Sequence, residues 1–196
     1  MTTATATTAT QSTAAKKQTN SGKGKNNNTA PLKKFFIDAL KDTLWAEKAI
    51  IKGLQKMQDS ASSEELIEAF EDHEWQTQKH IKRLEKVFKL INEEVSTKKC
   101  AAMEGLLKEA EEIIAETPEG SATRDATLII AAQKIEHYEI ASYGGLVQIA
   151  STLELDEAAR LLEKTLEEEE DTDLQLTDIA ESSINFEAGE EDEQAA

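Results

Sequence analysis

Residues 46–54 read AEKAIIKGL and residues 138–146 read YEIASYGGL. Laid over each other, they align Glu47 with Glu139, Ala49 with Ala141, Gly53 with Gly145 and Leu54 with Leu146, at an offset of 92 residues. The same offset carries Phe36 onto Leu128, Ile37 onto Ile129, Phe70 onto Leu162, Leu84 onto Leu176 and Val87 onto Ile179, without a gap. The chain therefore reads as a duplicated helix–loop–helix unit, its halves related by a pseudo-two-fold axis. A glutamate at the same place in two apolar stretches needs a physical account.

Working outward, apolar residues recur every three or four positions, the period of a helix with one buried stripe. Four long helices are expected, at 32–58, 64–92, 121–152 and 155–182, with Ser62 or Ser63 as the N-cap of the second. The first carries the stripe Leu32, Phe35, Phe36, Ala39, Leu40, Leu44, Ile50, Ile51 and Leu54. A shorter helix, KCAAMEGLLKEAEEIIA at 99–115, lies in the long connection between the second and third. The fold class is all-α: a four-helix bundle with a long crossover, the ferritin-like arrangement. Residues 1–30, Thr/Ala-rich and then Lys/Asn-rich, are expected to be a disordered tail. The bundle spans 31–184, and 185–196 reads as an acidic disordered tail.

The 196 residues hold 39 acids against 22 bases, a formal net charge of −17. Such a surface repels nucleic acid and anionic membranes and is compatible with cations. No apolar run is long enough to span a membrane. The N-terminus lacks the apolar core of a secretory signal. The single cysteine, Cys100, forms no internal disulfide and reads as a packed thiol. All this suits a cytoplasmic protein.

The polar residues on the inner stripes carry the chemistry. Glu47 lies in line with Leu40, Leu44, Ile51 and Leu54. Glu139 lies in line with Ile135, Tyr143 and Leu146, and Glu136 stands one turn before it. His73 and Thr77 fall on the stripe of the second helix, with Gln76 and His80 at its edge. The run EEEE at 167–170 forces an acid inward from the last helix, with Glu168 the expected ligand and Glu169 beside it. Buried carboxylates repel one another and cost several kcal/mol unless compensated. No Lys or Arg lies on these stripes, so protons or metal ions must compensate. Oxygen and imidazole donors around a bundle axis suit iron or manganese, and zinc less specifically. Glu136 and Glu169, at stripe edges, reach either a cation or water. His73 is either a ligand, a partner of one, or a core histidine. Tyr143 either bonds a ligand or packs.

Taken together, FFIDALKDTLWAEKAI, AFEDHEWQTQKHIKRLEKVF, KKCAAMEGL, QKIEHYEIASYG and TLEEEEDTDLQLTDIA resemble the YciF/YciE-type family of bacterial stress proteins, within the ferritin-like superfamily. The resemblance covers residues 32–182. It implies a ferritin-like fold, often a homodimer, with a di-metal centre, and it matches Glu47, His73, Glu136, Glu139 and Glu168 to the family's inward polar positions. It implies stress association rather than a settled reaction. Where the family is expected to carry a glutamate in the second helix, this chain has Gln76, and no Glu-x-x-His pair occurs. His80 stands ready to replace the missing donor.

Two functions of different class follow. One is a metal-binding stress protein oxidising Fe(II) with peroxide or oxygen, or using manganese, with catalytic residues unassigned. The other is a non-enzymatic helical scaffold with vestigial inward acids. Nothing in the sequence specifies a storage cage.

Overall fold

Five helices, α1 (Ala30–Ser60), α2 (Glu64–Leu90), α3 (Ala101–Glu116), α4 (Ala122–Thr152) and α5 (Asp156–Ile179), follow one another. A π-helical turn (Ala180–Ile184) then leads into a short α6 (Asn185–Glu190). The computed structural model describes residue 1 and residues 30–191, with no strand among them. The expected tail at 1–30 lies outside the described residues except for its two ends, as do residues 192–196.

The duplication is visible in the element bounds. α1 and α4 are each 31 residues long. They start 92 residues apart and end 92 residues apart, and α2 and α5 also start 92 apart. α1–α2 and α4–α5 form two helical hairpins, α2 packs on α5, and α3 lies across α1 and α4. Long helices are natural here, because only Pro31 and Pro118 interrupt the chain with proline, and both sit at or outside helix ends.

Local chemistry fixes the ends. Ser63 caps α2 by accepting from the Leu66 N–H at 3.4 Å. Buried Asp125, in the first turn of α4, accepts from the Ser62 and Ser63 N–H groups at 2.9 Å and from the Ser62 hydroxyl at 2.7 Å. This ties the α1–α2 loop to α4. Arg124 donates to the carbonyls of Ile114 and Thr117 and so satisfies the open end of α3. Cys100 is buried and caps α3, its sulfur accepting from the Met103 N–H at 3.4 Å. Of the matched pair Gly53 and Gly145, only Gly53 marks a close approach: a Cβ there would run into Leu107 of α3, whereas Gly145 faces open space.

Two details differ from the sequence reading. Phe35, placed on the inner stripe, is 59% exposed, and Phe36 takes the core position. The last long helix does not stop at 182 but runs through the π turn to Glu190, into the segment read as tail. The cause is local: Ala180 and Ile184 remain buried. Glu191 then accepts from the Thr123 N–H at 3.0 Å and from the Ala122 N–H at 2.6 Å, at the start of α4. Trp75 is 62% exposed, with the Lys79 ammonium 3.1 Å from its ring centre.

The core falls into two apolar clusters. One contains Ile50, Leu54, Phe70, Leu128, Ile135 and Leu176; the other contains Leu40, Leu44, Leu84, Phe88, Tyr143 and Leu162. On every bundle helix the break between them falls where a buried glutamate or histidine stands.

Candidate metal centre

The helical period turns four glutamates and two histidines into this break. On α1, Glu47 follows Leu44 and precedes Ile50 on the buried face. On α2 the buried face reads Phe70, His73, Thr77, His80, Leu84. On α4 it reads Ile135, Glu136, Glu139, Tyr143, Leu146, and on α5 Leu162, Thr165, Glu169, Thr172, Leu176. These steps of three and four keep one face of each rod toward the axis. Glu47 and Glu169 are 0% exposed, and no other side chain in this layer exceeds 7%.

Two donor groups result. His73, Glu136, Glu139 and Glu169 offer ligand atoms within 4.8 Å of one another, and so do Glu47, His80 and Glu169. Glu169 belongs to both. His73 Nε2 lies 3.3 Å from Glu136 and 3.8 Å from Glu169, while His80 Nδ1 lies 3.0 Å from Glu169 and 3.7 Å from Glu47. Eight buried atoms of Glu47, His73, His80, Glu136, Glu139 and Glu169 have no hydrogen-bond partner within the protein, and both oxygens of Glu139 and of Glu169 are among them. Buried polar atoms are almost always satisfied, so this concentration is what a cation site looks like from the protein side. The donor set, carboxylate oxygens with two imidazoles, fits iron, manganese or zinc.

Neighbours orient the donors. His80 Nε2 is 2.9 Å from Glu168, and Arg83 holds Glu168 through two bonds, one of 2.8 Å. With that proton given to Glu168, the Nδ1 lone pair faces the centre. His73 Nδ1 lies 3.3 Å from the Thr172 hydroxyl, which donates to the Glu168 carbonyl at 3.0 Å, so His73 Nε2 faces the centre. The Tyr143 hydroxyl donates to Glu47 Oε1, leaving Oε2 free.

The electrostatics show what protein alone must do. Burial lowers His73, but Glu136 and Glu169 outweigh it and raise the imidazole to about 9. Burial likewise lowers His80, and the facing carboxylates of Glu169 and Glu47 raise it to about 10. Burial pushes Glu169 up to about 7 against the pull of His80. Burial, then Glu169, Glu47 and Glu136, push Glu139 well above the ordinary carboxylate range. In the absence of a cation, protons collect here.

Of the residues singled out by sequence, Glu47, His73, Glu136 and Glu139 lie together in the centre. Glu168 and Glu169 exchange places: Glu169 points inward, while Glu168 leans on Arg83 and His80 at 21% side-chain exposure. His80, placed at an edge, is wholly buried within the second donor group. Gln76 stays outside, half-buried, its carbonyl 3.4 Å from the Thr172 hydroxyl. His137 faces solvent beside Asp173.

The sequence reading missed Arg83 and the register that sets threonines of one half against donors of the other. The offset of 92 already contained the second signal: it lays His73 on Thr165, Thr77 on Glu169 and His80 on Thr172. Each second helix thus keeps one member of a Glu-x-x-His pair, Thr77-x-x-His80 on α2 and Glu169-x-x-Thr172 on α5. Glu136 and His73 bring two further potential donors to the same layer.

The profile of the family described as "Domain of unknown function (DUF892)" matches residues 31–189. Protein YciF of Escherichia coli (strain K12) is 45% identical over 162 residues, 82% of this chain and 97% of that protein. The crystal structure of the E. coli stress protein YciF superposes with a TM-score of 0.75 at 46% identity, covering 79% of this chain and 97% of that one. YcfI from Rhodopseudomonas palustris gives 0.73 at 35% identity, over 78% and 96% of the two chains. A Xanthomonas campestris protein at 23% identity shares the fold, with a TM-score of 0.64 over 79% and 95%. The resemblance seen in the helix motifs therefore holds across the bundle, and the chain belongs to the DUF892 family, as a homologue of the stress protein YciF.

Proposed function

We propose that this protein is a ferritin-like, stress-associated metal-binding protein that holds iron, or alternatively manganese, inside its bundle. One observation supports this most directly. The glutamates buried in the bundle are Glu47, Glu136, Glu139 and Glu169, and all of them meet in one layer. Four ionised carboxylates balance two divalent cations, with the two histidines neutral. Glu47 and His80 would hold one ion, His73, Glu136 and Glu139 the other, and Glu169 both. Such ions would supply redox chemistry toward peroxide or dioxygen, with oxidation of Fe(II) as the activity in view.

The chain's own groups have definable tasks. Tyr143 keeps one oxygen of Glu47 occupied. Arg83 and Glu168 hold the His80 proton on Nε2. The apolar clusters above and below the layer exclude water, which strengthens each charge interaction within it. The homodimer and the cytoplasmic setting expected from sequence belong to the same reading.

The split Glu-x-x-His pairs favour a second reading, a protective scaffold whose inward acids are vestigial. One experiment separates the two: elemental analysis of protein purified without chelator, followed by anaerobic addition of Fe(II) and exposure to peroxide. About two metal ions per chain and a new oxidation band support the first reading. Metal-free protein whose thermal stability is unmoved by Fe(II) supports the second, because a ligand bound by the native state raises stability.

A further inference from the structure

The groove between α1 and α3 lies outside the metal centre and takes no part in the function proposed above. Its volume is about 450 Å³, within the range of small-molecule sites. The floor is apolar: Gly53 and Met57 of α1 face Leu107 and Ile114 of α3, and Trp45 closes one end. The rim is basic, with Lys48, Lys52 and Lys56 one turn apart on the same side of α1. Lys56 is engaged by Glu111. Lys48 and Lys52 are exposed and form no ion pair among the described residues.

Lys48 and Lys52 thus set two unpaired ammonium groups over an apolar trough, on a chain of net charge −17. They draw one kind of small ligand, an anion with an apolar body. No arginine and no helix N-terminus lines the groove, so it lacks the directed donors that grip a phosphate. From Lys48 to Met57, α1 advances about 14 Å at 1.5 Å per residue, the reach of a medium-length alkyl chain.

We infer that this groove binds a medium-chain carboxylate, its head between Lys48 and Lys52 and its chain along Ala49, Leu107, Ile114 and the edge of Met57. The site is separate from the metal centre and stands whether or not metal is bound.

Decanoate titrated into the full chain tests it, read by Trp45 fluorescence in a Trp75→Phe background. A saturable change is expected, with decanol binding at least tenfold more weakly. The double variant Lys48→Glu, Lys52→Glu should weaken decanoate at least tenfold and leave decanol unmoved. Ala49→Phe, which fills the trough, should abolish both responses. The inference fails if decanoate gives no saturable change, if decanol binds as well as decanoate, or if Ala49→Phe leaves binding intact. It also fails if removing residues 192–196 alters Trp45 emission while decanoate does not, for then the acidic end of the chain is the occupant.

Discussion

His80 Nδ1 and Glu169 Oε1 stand 3.0 Å apart, yet neither makes a hydrogen bond of acceptable geometry. With the other ring nitrogen facing Glu168, a neutral His80 turns a lone pair toward a carboxylate oxygen. Two acceptors facing each other in a buried layer repel, and a proton or a cation between them removes the repulsion. The sharing of Glu169 between both donor groups makes it the residue on which the centre turns.

Glu169→Gln should accordingly lower the affinity of both ions by about a hundredfold or more. Glu168→Gln should cost about tenfold, since it removes only the group that orients His80. Calorimetric titration with Fe(II) or Mn(II) compares the two. A larger loss for Glu168→Gln would reverse the assignment of inner and outer carboxylates.

Without metal, stability should fall as pH rises. His73 and His80 have folded pKa values of about 9 and 10 against 6.5 for the free side chain. Their contribution is complete below 6.5 and is lost as pH climbs through 9 to 10. Glu169, raised from 4.5 to about 7, works in the same direction over the lower window, because the folded protein keeps a proton that the unfolded chain releases. Urea melts at pH 5, 7 and 9 should show a falling midpoint. Metal affinity should rise over the same interval, because cations displace those protons.

Tyr143→Phe leaves Glu47 Oε1 without its donor in a fully buried position. The metal-free protein should lose about 1–3 kcal/mol, the cost of an unsatisfied buried acceptor. Denaturant unfolding measures this, and an unchanged midpoint would mean that Glu47 finds another partner.

Glu191→Ala removes the carboxylate that accepts from the first amides of α4. Amides of α6 and of the first turn of α4 should then exchange faster by hydrogen–deuterium exchange, while those of α2 stay unchanged. Equal exchange in both proteins would show that Ile184 alone anchors the segment.

The bundle was legible because its signal is repeated: one hydrophobic period, run twice at a fixed offset, leaves little freedom in helix number or order. Glu47 and Glu139 were legible for the same reason. The choice between Glu168 and Glu169 was not. Adjacent helical residues differ by about 100°, and in a run of four glutamates only a tertiary partner decides which turns inward. That partner is Arg83, on a different helix and outward of the stripe. His80 was obscured by Ile81, which offered an equally periodic apolar stripe one residue on. The helix at 185–190 is not legible because acidic composition usually marks solvated tails, and its anchor, a helix start far back in the chain, carries no local signature.

The polar layer of buried glutamates, histidines and threonines divides the greasy interior into two compartments. Each end of the molecule therefore has its own oil drop, and a merely protonated layer ties the two together less firmly than bound cations would. Ions gripped from all four rods would rivet the ends together. Occupancy at the waist should thus raise and sharpen the melting transition.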